Sequence, residues 1–285
     1  MPQRIILSGD DWQFKEYYGE DWRWRNAHKP DTRDTRLWRR GSVPGSVHHD
    51  LWTLGEIPNP YFERNSLLLE WIPARTWLYK KSFFVDESLQ GKRLQLRFEG
   101  IDYEAQIFLN GEHLDDHRGM YIPAQFEVGD LLHYGADNLL AVVIQPAPHE
   151  QPQVGRTNLV RTHKSRMTYW WDFCPRMVHV GIWDDVFLEV TEQMRIEDVF
   201  VRPQLTPDFQ RAHVSVSVEL DSTQEQNVEI DLIARLNQSD VVSAKTQASL
   251  QPGRTTLEMF LPVENPHLWF PNGHGEQPIY EADVR

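Results

Sequence analysis

The run Trp170-Trp171-Asp172-Phe173-Cys174-Pro175-Arg176-Met177 crowds bulky aromatic and charged groups around a proline-stiffened turn. A sugar ring suits such a place. Its axial C–H bonds lie on an aromatic face, and one ionised carboxylate accepts hydrogen bonds from two neighbouring hydroxyls and so reads their relative orientation. Trp171 and Asp172 are the pair that could do this. The same residues also admit a structural role, in which the indoles fill a core and Asp172 caps the turn or pairs with Arg176. Other candidates are weaker. His48-His49-Asp50 offers metal-ligating types, but adjacent residues point in different directions and paired histidines on a helix use i, i+4 spacing, so no metal is expected there. Cys174 with His163 or His179 would imitate a thiol–imidazole pair, yet the sequence supplies no third group to orient it. Arg33, Arg36, Arg39 and Arg40 are interleaved with Asp31 and Asp34, the pattern of a solvated loop or a surface ion-pair network.

The elements that must position these residues read as strands. In Arg93–Glu99, Leu94, Leu96 and Phe98 share one face and polar residues the other. Ala105, Ile107 and Leu109 repeat the alternation up to Asn110-Gly111, a dipeptide suited to the positive φ of a two-residue hairpin turn, and His113 and Leu114 follow. Further strands are expected at 77–85, 124–128, 138–145 and 183–190, separated by Gly, Pro, Asp and Asn. One short helix is expected over 47–54, where Val47, Leu51 and Leu54 share a face. From about Thr191 the aromatic residues thin out. Clean alternation over 213–220 and 228–236 then points to a second sandwich, with Val214, Val216, Val218 and Leu220 facing Val228, Ile230, Leu232, Ala234 and Leu236. A third alternation covers 256–261, and the chain closes at 280–285 in what reads as the start of another strand. The expectation is an all-β chain of two domains, 1–190 and 191–285.

Composition sets the outer limits. The 285 residues carry 42 acidic against 29 basic side chains, a formal charge of −13, which repels nucleic-acid phosphates and anionic membrane surfaces, so neither is expected as a partner. No apolar run approaches the roughly 20 residues that span a bilayer, and the chain reads as soluble. Met1–Gly9 lacks the apolar core of roughly 7–15 residues of a signal peptide, which favours a cytoplasmic location. A single cysteine rules out an intrachain disulfide and a cysteine-based zinc cluster. The 11 tryptophans suit packed cores and carbohydrate contacts alike.

The 170–177 segment, followed by Val180-Gly181-Ile182-Trp183, resembles the Trp-Asp-Trp-Gly-Pro-Arg signature and trailing Gly-Ile-Trp of the β-mannosidases of glycoside hydrolase family 2. Phe173-Cys174 stand where that signature has Trp-Gly. Val43–Leu51, Ile57–Tyr61, Trp71-Ile72, Thr76–Lys81 and Phe98–Asp102 leading into Ile107–Gly111 are similar to successive landmarks of the same family, as are Pro266–Gly273 and Gly275–Tyr280. The resemblance runs in order along nearly the whole chain. It implies a galactose-binding-like jelly-roll β-sandwich over 1–190 and an immunoglobulin-like β-sandwich over 191–285 that stops before its last strand. It also implies a (β/α)8 barrel further along the same polypeptide as the partner of this region. The barrel would carry two glutamates, general acid/base and nucleophile, that cleave terminal β-D-mannose with retention. No catalytic residue, cofactor or metal is then expected in this chain, which should be inactive alone. Trp171 and Asp172 are expected to reach into the sugar pocket, and Arg176 to serve as the partner of a nearby carboxylate. Two alternatives stand beside this reading: a self-standing carbohydrate-binding module, or another family 2 specificity such as β-galactosidase, β-glucuronidase or exo-β-glucosaminidase.

Overall fold

The computed structural model describes residues 3–149 and 157–285, and the chain divides into two compact units, Met1–Val190 and Thr191–Arg285. In the first unit the strands are β1 (Gln3–Ile6), β2 (Gly9–Tyr17), β3 (Arg39–Val43), β4 (Thr76–Val85), β5 (Arg93–Phe98), β6 (Ile101–Asp102), β7 (Glu104–Leu109), β8 (Glu112–Arg118), β9 (Ala124–Glu127), β10 (Ala136–Ile144), β11 (Gly181–Ile182) and β12 (Val186–Thr191). They form a six-stranded sheet in the order β3-β2-β4-β10-β7-β8, a four-stranded sheet β1-β12-β5-β9 and the small pair β11-β6. Leu94, Leu96 and Phe98 do share the buried face of β5, and they meet Trp12, Phe14, Trp77, Tyr79, Ile107 and Val142 in one core. Two of the buried indoles in this core have their N–H groups satisfied: Trp12 donates to the Leu7 carbonyl at 2.8 Å and Trp77 to that of Ile72 at 2.9 Å.

β10 reads as a continuous apolar run because both of its faces are covered. Leu140, Val142 and Ile144 enter the main core. Ala141 and Val143 join Leu78, Phe108 and Tyr17 in a second cluster closed over by Trp22 of the one-turn helix α1 (Asp21–Trp24). The β7–β8 turn is the expected hairpin, with φ of +54° at Asn110 and +88° at Gly111. The helix over 47–54 is observed as α2 (Val47–Thr53), with the Ser46 hydroxyl accepting from the His49 N–H at 3.3 Å.

The second unit contains β13 (Met194–Leu205), β14 (Arg211–Ser222), β15 (Gln226–Leu236), β16 (Ser239–Leu250), β17 (Gly253–Glu264) and β18 (Tyr280–Val284). Two three-stranded sheets, β13-β14-β17 and β16-β15-β18, face each other across Val216, Val218, Leu220, Ile230, Leu232 and Leu261. The stretch between β17 and β18 is irregular but tied. The Phe270 N–H donates to the Glu276 carbonyl at 2.9 Å, and Gly275 lies so close to the Phe270 ring that a Cβ there would fall 2.7 Å from it. An apolar cavity of about 540 Å³ opens between the sheets at this end, lined by Val214, Leu261, Val263, Trp269, Tyr280 and Ala282 among others.

Candidate functional site

The segment that carries Trp171 and Asp172 runs from residue 157 to β11 with only two short 3₁₀ turns, Thr157–Leu159 and Arg166–Tyr169. With no sheet pairing to hold it, the segment depends on side-chain ties reaching distant parts of the unit. The strongest is buried. The Lys164 side chain is wholly inaccessible, and its ammonium donates to Asp102 Oδ2 at the end of β6 and to the His179 carbonyl at 2.6 Å. Burial pushes the Lys164 ammonium down from its ordinary value and the Asp102 carboxyl up from its own, and each charge opposes the other's shift. Further ties are Arg176 Nε to Glu70 Oε2 at 2.8 Å, the Tyr169 hydroxyl to the Pro148 carbonyl at 2.6 Å, and the Met177 N–H to the Thr168 carbonyl at 2.7 Å.

Between these anchors, Trp171 and Cys174 face each other in an isolated bridge, each N–H donating to the other's carbonyl at 3.4 Å. Asp172 and Phe173 form the tip. The Cys174 thiol donates to the Met167 carbonyl at 3.2 Å, which leaves it half-buried rather than free at the surface. Trp170, just before the turn, has φ of +134° and ψ of 143°, backbone space that is almost reserved for glycine. Its ring is 58% exposed and that of Phe173 74%, so the tip presents large aromatic surface beside a carboxylate.

The expected site residues therefore stand together in one turn, Trp171 half-buried and Asp172 exposed. Asp172 neither caps the turn nor pairs with Arg176. Among the described residues its side chain has no hydrogen bond or ion pair, and Arg176 is engaged by Glu70 and by the Tyr169 carbonyl at 3.2 Å. The expected structural role of Arg176 as a carboxylate's partner matches this geometry.

The remaining candidates separate in space. His48 is buried edge-on against His179 with ring centroids 5.5 Å apart, His49 is exposed, and the Asp50 Oδ1 accepts the Ser42 N–H at 3.2 Å. Burial, then the neighbouring His179 and Lys164, bring His48 down to about 3, and burial with the Lys164 charge brings His179 to about 4. Both are neutral imidazoles at pH 7. Neither His163 nor His179 hydrogen-bonds the Cys174 thiol among the described residues. The Arg33–Arg40 stretch is tied outward to other elements: Arg39 pairs with Glu56 at 2.7 Å and Arg40 with Asp10 at 2.9 Å. Asp34 turns inward to Lys15 and to the Tyr17 hydroxyl, which donates to it at 2.8 Å. Lys164 and Glu70 carried no sequence signal, since their partners lie 62 and 106 residues away.

The first unit is a β-sandwich presenting an aromatic and acidic turn, and the second is a six-stranded sandwich. Residues 12–184 match the family model described as glycosyl hydrolase 2 galactose-binding domain-like, and residues 194–285 match that of glycosyl hydrolases family 2. The chain belongs to glycosyl hydrolase family 2. It is 25% identical to beta-mannosidase B of Thermothelomyces thermophilus over 293 aligned residues, which cover 99% of this chain and 32% of that protein. Beta-mannosidase B of Aspergillus niger is 26% identical across 85% of this chain and 30% of its own length. The chain thus spans about a third of the curated relatives it matches. Among solved structures, the beta-D-mannosidase of Dictyoglomus thermophilum superposes with a TM-score of 0.83 at 28% identity, over 99% of this chain and 34% of that one. A Bacteroides uniformis beta-glucuronidase shares the fold, with a TM-score of 0.70 at 18% identity over 100% of this chain and 30% of its own.

Proposed function

We propose that this chain is the N-terminal, non-catalytic region of an exo-acting retaining glycoside hydrolase that removes terminal non-reducing β-D-mannose. In this reading the two carboxylates that do the chemistry, held roughly 5 Å apart in a retaining enzyme, lie on a barrel elsewhere in the polypeptide. The present chain lends Trp171 and Asp172 to one wall of the pocket.

The observation that carries the proposal is the unpaired Asp172 carboxylate at the tip of a turn braced by Lys164–Asp102 and Arg176–Glu70. A charged side chain with no partner among the described residues, flanked by Trp171 and by the exposed rings of Trp170 and Phe173, is available to accept two hydroxyl donors while a ring face covers the sugar's C–H bonds. The brace holds the segment that carries the turn, which lowers the ordering cost of presenting the carboxylate to a ligand.

The similarity to two fungal beta-mannosidases and to a beta-D-mannosidase structure supports mannose over the other sugars of the family. A panel of nitrophenyl glycosides turned over by the full-length protein tests it. β-D-mannoside should be the preferred substrate, and preference for β-glucuronide or β-galactoside would reject the assignment. The isolated chain is expected to hydrolyse none of them.

A further inference from the structure

In the stretch from Arg33 to Arg40, the guanidinium groups of Arg39 and Arg40 are committed to Glu56 and Asp10, but those of Arg33 and Arg36 are not. Both line a polar cleft of about 600 Å³ in the first unit, together with Lys15, Trp24, Arg25 and Asp31 among others. That volume lies in the usual range of small-ligand sites. Among the described residues, the Arg25, Arg33 and Arg36 side chains have no hydrogen-bond or ion-pair partner.

The cleft stands on a buried support. The Lys15 ammonium donates to Asp34 Oδ1 at 2.5 Å and to the Arg36 carbonyl at 3.0 Å, and the Tyr17 hydroxyl donates to Asp34 Oδ2 at 2.8 Å. The Lys15 and Asp34 side chains are both buried. The loop is fastened from its other side as well. The Asp34 N–H donates to the Thr32 hydroxyl at 3.1 Å, that hydroxyl donates to the Arg25 carbonyl at 3.1 Å, and the Trp38 indole donates to the Asp34 carbonyl at 2.8 Å. Lys80 Nζ lies 3.7 Å from the Trp38 ring centroid. These ties fix the backbone that carries the three arginines while leaving their side chains uncommitted.

Charge decides what fits. Lys15 and Asp34 neutralise each other, so the lining presents three guanidinium groups against one further carboxylate, Asp31. Such an excess repels a cation and is matched by a doubly charged anion. It stands out in a chain whose formal charge is −13. Guanidinium forks bind carboxylate and phosphate oxygens in pairs, and three forks offer more donors than the two oxygens of a carboxylate can use. A phosphoryl group presents three acceptor oxygens and about two negative charges at neutral pH. Trp24 lines the same cleft and is 86% exposed, so its ring offers a flat apolar face beside the anion.

We infer that this cleft binds a small molecule carrying a phosphoryl or sulfuryl group next to a ring: Arg25, Arg33 and Arg36 hold the oxyanion, and the ring lies against Trp24. The site shares no residue with the Trp171–Asp172 turn, so the inference is independent of the sugar reading of Asp172.

The test is an NMR titration of the 285-residue chain at pH 7.5 with inorganic phosphate, sulfate, phenyl phosphate and acetate, ionic strength being held constant with sodium chloride. Phosphate and sulfate should give saturable shifts at the Trp24 indole N–H and the amides of residues 32–37, with dissociation constants of about 1 mM or tighter. Phenyl phosphate should bind at least about threefold more tightly than inorganic phosphate, and acetate at least about tenfold more weakly. Arg33→Gln and Arg36→Gln should each weaken phosphate about tenfold, whereas Arg40→Gln, whose guanidinium pairs with Asp10, should leave it unchanged. All three arginines are exposed, so the variants keep the fold. Absence of saturation at roughly 50 mM phosphate would overturn the inference. So would equal affinity for acetate, or a loss in Arg40→Gln as large as in Arg33→Gln, since either pattern is that of diffuse surface charge. Phenyl phosphate binding no more tightly than inorganic phosphate would overturn the part assigned to Trp24.

Discussion

Replacing Lys164 with Met tests whether the buried pair holds the site segment in place. The substitution keeps length and apolar bulk but removes the ammonium, leaving Asp102 with neither oxygen partnered in a site where its side chain is 2% exposed. Breaking a buried ion pair from one side costs about 3–5 kcal/mol, against a total stability of about 5–15 kcal/mol for a typical domain. With a urea m-value of about 2 kcal/mol/M, the midpoint of the first unit should fall by about 2 M. Tryptophan fluorescence reads this unit almost alone, since ten of the 11 tryptophans precede residue 191 and only Trp269 follows it. Removing both charges in Lys164→Met/Asp102→Leu should recover a good part of the loss, because an apolar pair of similar volume carries no stranded charge. Hydrogen exchange should show residues 157–180 opening in the single variant before the sheets do. A midpoint within about 0.3 M of wild type, or a double variant whose loss equals the sum of the singles, would refute the reasoning.

Two further outcomes follow from strained or buried groups. Burial, opposed by hydrogen bonds from Ser42, raises Asp50 to about 7, well above its unfolded value of 3.8. The folded state therefore holds a proton that the unfolded state has lost, and stability falls as pH rises from about 4 to about 7. Asp50→Asn should remove this dependence and gain about 2 kcal/mol relative to wild type between pH 5 and pH 8, allowing for residual solvent screening. Parallel urea curves at the two pH values would contradict it. Trp170→Gly should raise stability by up to about 1 kcal/mol, since relief of a glycine-only backbone conformation exceeds the entropy that glycine adds to the unfolded chain. A lower melting temperature in calorimetry would mean that the Trp170 ring packs more favourably than its 58% exposure implies.

The sheets were legible in the sequence where one face is apolar and the other polar. Leu94, Leu96 and Phe98, the Asn110-Gly111 turn and the facing valines of β14 needed only a period of two and the φ requirements of a hairpin. β16 escaped notice because its partly buried residues are Val242, Ala244, Thr246 and Ala248, too small and mixed to stand out against their neighbours. The strand expected from Trp183 begins only at Val186, because Trp183 is committed to the Met120 carbonyl and Asp184 accepts the Asp185 N–H at 2.8 Å. The site was legible as a cluster of types, not as a geometry. Nothing local in 157–180 announces that Lys164 reaches Asp102 or that Arg176 reaches Glu70, and Asp172 is left without a partner among the described residues. Trp170 in a glycine conformation was equally invisible, since a bulky residue there runs against the local rule.

The central claim, that the Asp172 carboxylate contacts sugar, is tested most directly by steady-state kinetics of Asp172→Ala in the full-length protein with p-nitrophenyl β-D-mannoside. The side chain is exposed and has no partner among the described residues, so thermal stability should stay near the wild-type value while kcat/KM falls by about 100-fold or more through lost positioning of the ring. A kcat/KM within about threefold of wild type would contradict the account.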